Sequence, residues 1–196
     1  MFGKSDKGTG VKVGSTTIIT ECISIRGDIK GCGTIHIDGI IDGNIDAEQS
    51  IVIGEKGIVT GNIKSKMIMV SGVLNGTVIC DSLEVKSKGK VSSRIEVKTL
   101  VSDGILNADI LAKESIIITQ NGKTNSDKMQ SKNILVNGSV KGNVVASQLL
   151  EIGKNGIVEG SMSVKNIKTQ EGGRMLGNMS TYMEVKEKKQ IANVKS

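Results

Sequence analysis

The sequence predicts an all-β protein, a solenoid built as a parallel β-helix of about nine coils with three short strands in each. Three observations lead there. A phrase opening on glycine recurs at Gly39, Gly57, Gly72, Gly89, Gly104, Gly122, Gly138, Gly156 and Gly173, at intervals of 15 to 18 residues. Such a period marks a repeat architecture before any single element is assigned. Within a phrase the residues alternate: after Gly57, Val59 and Ile63 share one face with Gly61, while Thr60 and Asn62 take the other, the period of two that belongs to strands. Proline is absent from all 196 residues, which suits a backbone whose N–H groups are nearly all claimed by a ladder.

Along the chain, residues 1–17 are polar and contain glycine, and are expected to be a flexible tail. The β-helical domain is expected over residues 18–179. Most phrases follow an alternating apolar pair: Ile35/Ile37, Ile51/Ile53, Ile68/Val70, Leu83/Val85, Ile116/Ile118, Ile134/Val136 and Leu150/Ile152. Phrase and pair supply two strands, and a polar stretch such as Asp46–Ser50 or Lys64–Met67 supplies the third side. Roughly five or six residues per side leave no room for a helix and suit strands pairing in parallel with the coils above and below. Recurrent glycine permits corners with positive φ or close backbone approach. Inward Ile, Val, Leu and Met then stack in ladders, each worth roughly 1.5–3 kcal/mol of burial before ordering entropy is subtracted. One phrase departs: Gly122-Lys-Thr-Asn-Ser-Asp-Lys128 puts lysine and polar residues where others carry Val and Ile. A loop or loosened coil is expected over residues 120–132 within a continuous solenoid, the alternative being two shorter solenoids hinged there. Residues 180–196 are expected to be a basic flexible tail.

Groups that carry chemistry are few. Cys22, Cys32 and Cys80 are odd in number and lack Cys-x-x-Cys spacing, so reduced thiols are expected rather than a disulfide framework or a zinc site. No apolar run approaches the roughly 18 residues of a spanning helix and no signal-peptide pattern occurs, so a cytoplasmic protein is expected. The sequons at Asn75, Asn137 and Asn178 are then incidental. The formal charge of +6 gathers toward the two ends, and the repeat region has neither the basic stripe nor the stacking aromatics of a nucleic-acid reader. Gly122-Lys123-Thr124 is no phosphate cradle, because Ile117 stands where a P-loop needs its first glycine. Asp38, Asp42 and Asp46 recur every four residues, but the next coil offers Glu55, Thr60 and Lys64, so no calcium ladder is expected. No cofactor, metal or nucleotide is called for.

His36, the sole histidine, lies between Ile35 and Ile37 and should point to solvent. It would matter only in a rival class, a β-helix acyltransferase-like enzyme of the hexapeptide-repeat kind, to which Ile53-Gly54 and Ile152-Gly153 bear a faint likeness. The irregular spacing argues against a strict hexad, and no catalytic residue is assigned.

The stretch from Ile23 to Ile45, containing Ile37-Asp-Gly39 and Gly39-Ile-Ile-Asp-Gly-Asn-Ile45, followed by Ile51-Val-Ile-Gly-Glu-Lys-Gly-Ile-Val-Thr-Gly-Asn-Ile63, resembles the opening of bactofilins, bacterial polymer-forming cytoskeletal proteins. The resemblance is strongest over about residues 18–98 and extends more loosely to about residue 179. It implies a right-handed β-helix that polymerises end to end without nucleotide into non-polar filaments, often attached to the inner face of the cytoplasmic membrane. Met1-Phe-Gly-Lys-Ser-Asp-Lys7 looks like the family's membrane-targeting peptide, with Phe2, Lys4 and Lys7 as its anchor residues. The chain departs from the family by carrying more repeat copies and by having Met175, Leu176 and Met179 where an aromatic residue is often found.

A β-helix leaves unpaired edges at both ends, and such edges either get capped or recruit another copy. Like-end contacts are isologous and give a filament without polarity. Ile18, Ile19, Ile23 and Ile25 are expected at one contact and Met175, Leu176 and Met179 at the other. By alternation Ile40, Ile58, Val73, Ile105 and Ile157 point outward, either as an apolar stripe for lateral pairing or partner docking, or tucked partly inward at a corner. The favoured reading is a scaffold that polymerises and organises cell-shape or cell-wall proteins at the membrane.

Overall fold

The computed structural model describes residues 16–183. They form a right-handed parallel β-solenoid of about ten turns, without a helix. The first coil is β1 (Thr16–Ile19), β2 (Ser24–Arg26) and β3 (Ile29–Gly31); the second is β4 (Thr34–Ile37), β5 (Ile40–Asp42) and β6 (Ile45–Ala47). Next come β7 (Ser50–Ile53), β8 (Ile58–Thr60) and β9 (Ile63–Val70), and β9 already turns a corner into the fourth coil. Thereafter each strand bends round the rod: β10 (Val73–Val85), β11 (Lys90–Ser102), β12 (Ile105–Ile118), β13 (Lys123–Val136), β14 (Ser139–Ile152), β15 (Ile157–Thr169) and β16 (Arg174–Thr181). We call the side begun by β1, β4 and β7 face A, that of β2, β5 and β8 face B, and that of β3 and β6 face C.

The extra coil relative to the nine expected is the first. It has Ile23 where every later coil has its leading glycine, so a count of glycine phrases passes over it. The irregular spacing also has a cause. Corners between faces A and B alternate between four residues (Gly54–Gly57, Lys86–Gly89, Thr119–Gly122, Gly153–Gly156) and two (Asp38-Gly39, Ser71-Gly72, Asp103-Gly104, Asn137-Gly138) until the tenth coil, which repeats the long form. The long corners are β-turns, closed for instance by Gly57 N–H donating to Gly54 O at 3.0 Å. They project over the short ones and meet each other, Lys56 pairing with Glu21 and Lys88 with Glu55 at 2.7 Å.

Where a phrase carries two glycines, they do different work. At the leading position a Cβ on Gly72 would lie 2.3 Å from Gly57 O, so the side chain is excluded by the coil below. At the corner between faces B and C, Gly61 has φ +142° and its Cβ would meet Gly43 O at 2.2 Å. Ser93 takes that corner in the fifth coil at φ 111°, the one non-glycine residue with positive φ among the described residues.

The interior is a stack of apolar ladders. Ile35, Ile51, Ile68 and Leu83 lie in register along face A, each fully buried or nearly so. The loop expected at residues 120–132 is instead a turn followed by β13, which pairs in parallel with both neighbouring strands. The polar substitutions are carried inside the rod: Thr124, Ser126 and Ser131 are buried, and their hydroxyls, with that of Ser102 below, have no hydrogen-bond partner. The ladder hydrogen bonds of neighbouring coils hold the backbone in place even where its side chains contribute little.

Candidate functional site

A rod of stacked coils offers two ends and three faces, and the sequence places its most exposed apolar groups on those surfaces. At the last coil Met175 and Met179 continue the inward columns of Val158 and Met162, but no described residue covers them, and they are 40% and 58% exposed. Leu176, in register with Glu159, lies on the outer rim of the same coil and is 53% exposed. At the first coil Ile19 is buried beneath Ile37, and Ile25 sits below Ile41. Ile29 packs beside them against the core. Sequence alternation did not single it out, because a three-residue strand shows too little of the period. Ile18 instead points outward on face A in register with His36, and Ile23 is exposed in the first turn. Among the described residues the terminal strands β1 and β16 each pair on one side only.

On face B, Ile40, Ile58 and Val73 stack on consecutive coils. The column then continues Lys90, Ile105, Lys123, Ser139, Ile157 and Arg174, so cations interrupt it. Ile40 and Ile58 are exposed, whereas Val73 and Ile157 are half-buried.

Face A carries a second outward column that the sequence reading overlooked: His36, Val52, Met69, Glu84, Val101, Ile117, Leu135 and Glu151 occupy one register position from the second coil to the ninth. All are half-buried by their neighbours. The signal was present as a third apolar residue between the two inward ones, as in Ile116-Ile117-Ile118, but it reads as a stronger core strand until the pleat assigns its direction. The adjoining outward column, Thr34, Ser50, Met67, Ser82, Thr99, Ser115, Asn133 and Leu149, is uncharged throughout.

Chemistry on these surfaces is sparse. His36 Nε2 lies 3.0 Å from Asp38 Oδ2, half-exposed on open face A. Cys80 is buried on face C, and burial pushes its thiol up to about 12, with the Asp81 charge adding to the effect. Cys22 and Cys32 are exposed. Lys168, 3.0 Å away, and then Gln170 hold the Glu151 carboxyl below its usual range. A corner ladder runs from Asp28 through Asn44 and Asn62, each side-chain oxygen accepting the backbone N–H one coil on. Among the described residues no cluster of His, Cys, Asp or Glu is arranged to hold a metal, and no helix is long and apolar enough to cross a membrane. The surface depressions are open grooves, one of about 240 Å³ on face C between Ile79, Glu96 and Leu111. Phe2, Lys4 and Lys7 lie outside the described residues.

A family model described as bactofilin, polymer-forming cytoskeletal, matches twice, over residues 17–103 and 98–180. The two matches meet where the sixth coil begins, and the rod is continuous there, β11 pairing with β12 from Lys90↔Ile105 to Ser102↔Ile118 with one register shift. Bactofilin BacO of Myxococcus xanthus (strain DK1622) is 28% identical over 74 residues, 37% of this chain and 59% of that relative's length. No solved structure matches. With the family model accounting for the rod from its first coil to its last, in two consecutive spans, the chain belongs to the bactofilin family.

Proposed function

We propose that this protein is a cytoskeletal scaffold whose rods join end to end, without nucleotide, into non-polar filaments at the inner face of the cytoplasmic membrane, where they organise cell-shape or cell-wall proteins. The observation that supports this reading is the pair of ends that no described residue covers. An uncovered β-helical cross-section presents unpaired backbone groups around an apolar centre, and another copy of the same end satisfies both at once. Met175 and Met179, with Leu176 at the rim, form one contact; Ile19 and Ile25, with Ile18 and Ile23 beside them, form the other.

Blocking one end separates like-end from head-to-tail assembly. With Met175→Lys and Met179→Lys together, like-end joining leaves discrete two-rod particles, on the order of 90 Å long at a coil spacing of about 4.8 Å. Adding Ile25→Lys then leaves single rods. Negative-stain electron microscopy without nucleotide reads the result. Single rods from the Met175/Met179 variant alone would mean a polar filament, and intact filaments from the triple variant would mean that the ends are misassigned.

Membrane attachment rests on residues 1–8, where one Phe and two Lys combine a small apolar wedge with cations worth about 1 kcal/mol each on anionic lipid, multiplied by the copies a filament displays. Deleting residues 1–8 should abolish co-sedimentation of filaments with anionic vesicles. Unchanged binding would move the anchor to Lys186, Lys188 and Lys189.

A further inference from the structure

Beyond end-to-end joining, the outward columns of face A suggest how two rods lie side by side. We infer that face A is a self-complementary lateral surface that pairs with face A of a second, antiparallel copy of this chain, the ten coils overlapping in full. A two-fold axis along the strands sets the first coil of one rod opposite the tenth of the other and keeps each column facing its own counterpart.

Under that operation Met69 faces Ile117, Val52 faces Leu135, His36 faces Glu151, and at the rim Ile18 faces Lys168, which is ion-paired with Glu151 and keeps its charge at the solvent edge of the overlap. Near the centre Glu84, already ion-paired with Lys86, faces Val101. The adjoining column sets only uncharged residues opposite one another, Ser50 against Asn133 and Met67 against Ser115 among them.

The alternatives fare worse. Parallel rods in register oppose Glu84 to Glu84 and Glu151 to Glu151, which costs stability. The same antiparallel overlap on face B buries Lys90 against Ile105 and Lys123 against Val73. Ten strands of four residues give a face of about 45 by 13 Å, hence roughly 1,200 Å² over both partners, at the threshold of a specific interface. Single rods therefore pair weakly, and rods joined in a filament pair by avidity.

The test is site-directed cross-linking in a Cys22→Ser, Cys32→Ser background, leaving Cys80 in place because it is buried. Facing sheets packed about 10 Å apart can be joined by a disulfide. Met69→Cys and Ile117→Cys are made in separate proteins, mixed, and oxidised under assembly conditions. The expected result is about tenfold more covalent dimer in the mixture than in either protein alone, a bias of about 1.4 kcal/mol. Self-linking of the Met69→Cys protein would overturn the antiparallel arrangement. A mixed Ile58→Cys and Ser139→Cys pair that links in its place would move the contact to face B. Filaments lacking the mixed cross-link overturn the lateral surface and leave end-to-end joining intact. The mixed cross-link without filaments supports the surface and refutes end-to-end joining.

Discussion

Replacing Thr124 by Val should make this protein more stable. Thr124 is 4% exposed, and its Oγ1 has no hydrogen-bond partner. It interrupts an inward column that runs Val91, Leu106, Thr124, Val140, Val158 through five successive coils. A buried hydroxyl without a partner costs about 1–3 kcal/mol, and valine fills nearly the same volume with a methyl group suited to the apolar column. The expected gain is about 1–2 kcal/mol, which for a chain of this size raises the midpoint of thermal unfolding by roughly 2–8 °C. Urea and thermal unfolding are best followed by circular dichroism in the background of Met175→Lys, Met179→Lys and Ile25→Lys, where single rods unfold without filament dissociation. Val140→Thr, one coil on, is the mirror experiment and should cost a similar amount. A neutral or destabilising Thr124→Val would refute the reasoning, since it would mean that the hydroxyl is satisfied inside the rod.

Three further expectations follow from the corners and the thiols. Gly61→Ala should cost about 3 kcal/mol or more, because it adds a Cβ 2.2 Å from Gly43 O to the strain of positive φ, whereas Gly27→Ala has the same kind of φ with nothing within 4 Å and should cost about 1–3 kcal/mol; equal losses in urea titrations would show that contact with the coil below is unimportant. At pH 8 a disulfide-exchange reagent should label Cys22 and Cys32 and spare Cys80, whose thiol is pushed up to about 12, and rapid labelling of all three would contradict the burial. The backbone N–H of Asn44, then its side-chain amide, at 2.9 and 3.0 Å from Asp28 Oδ1, holds the Asp28 carboxyl below its ordinary value. A depressed folded value means that this contribution is present above the unfolded value of about 3.9 and is lost as pH falls through the lower folded one. Asp28→Asn should flatten that part of the acid limb, and carboxyl titration by NMR at an unperturbed midpoint would rule the interaction out.

Much of the fold was legible because its rules are local. Alternation in Gly57–Ile63 follows from the pleat, and the leading glycines announce a corner where no side chain fits. The first coil lies within the expected domain but outside the count of glycine phrases, because Ile23 replaces the glycine that marks the others. The seventh reads as a loop or loosened coil within a continuous solenoid because Thr124, Ser126 and Ser131 are polar. Neither feature prevents pairing with the coils on either side, and pairing is what holds a coil in a solenoid. Of the end residues, Ile19 and Ile25 do lie in the terminal cross-section, while Ile18 is turned onto face A by the same alternation that turns Ile19 inward.

By itself, then, the sequence determined the class of fold, the repeat and the apolar interior, since each depends on residues a few positions apart. The outward line that follows the leading glycines on face B could be read from the sequence, but tertiary structure alone decided which outward residues share a column on face A and where cations break the line on face B. Corners of alternating two and four residues shift the numbering from coil to coil, so Ile58 and Lys90 belong to one line on face B, and Met69, Ile117 and Leu135 to another on face A. Register between coils is set by non-local backbone pairing. The outward surfaces proposed for assembly are made by that register.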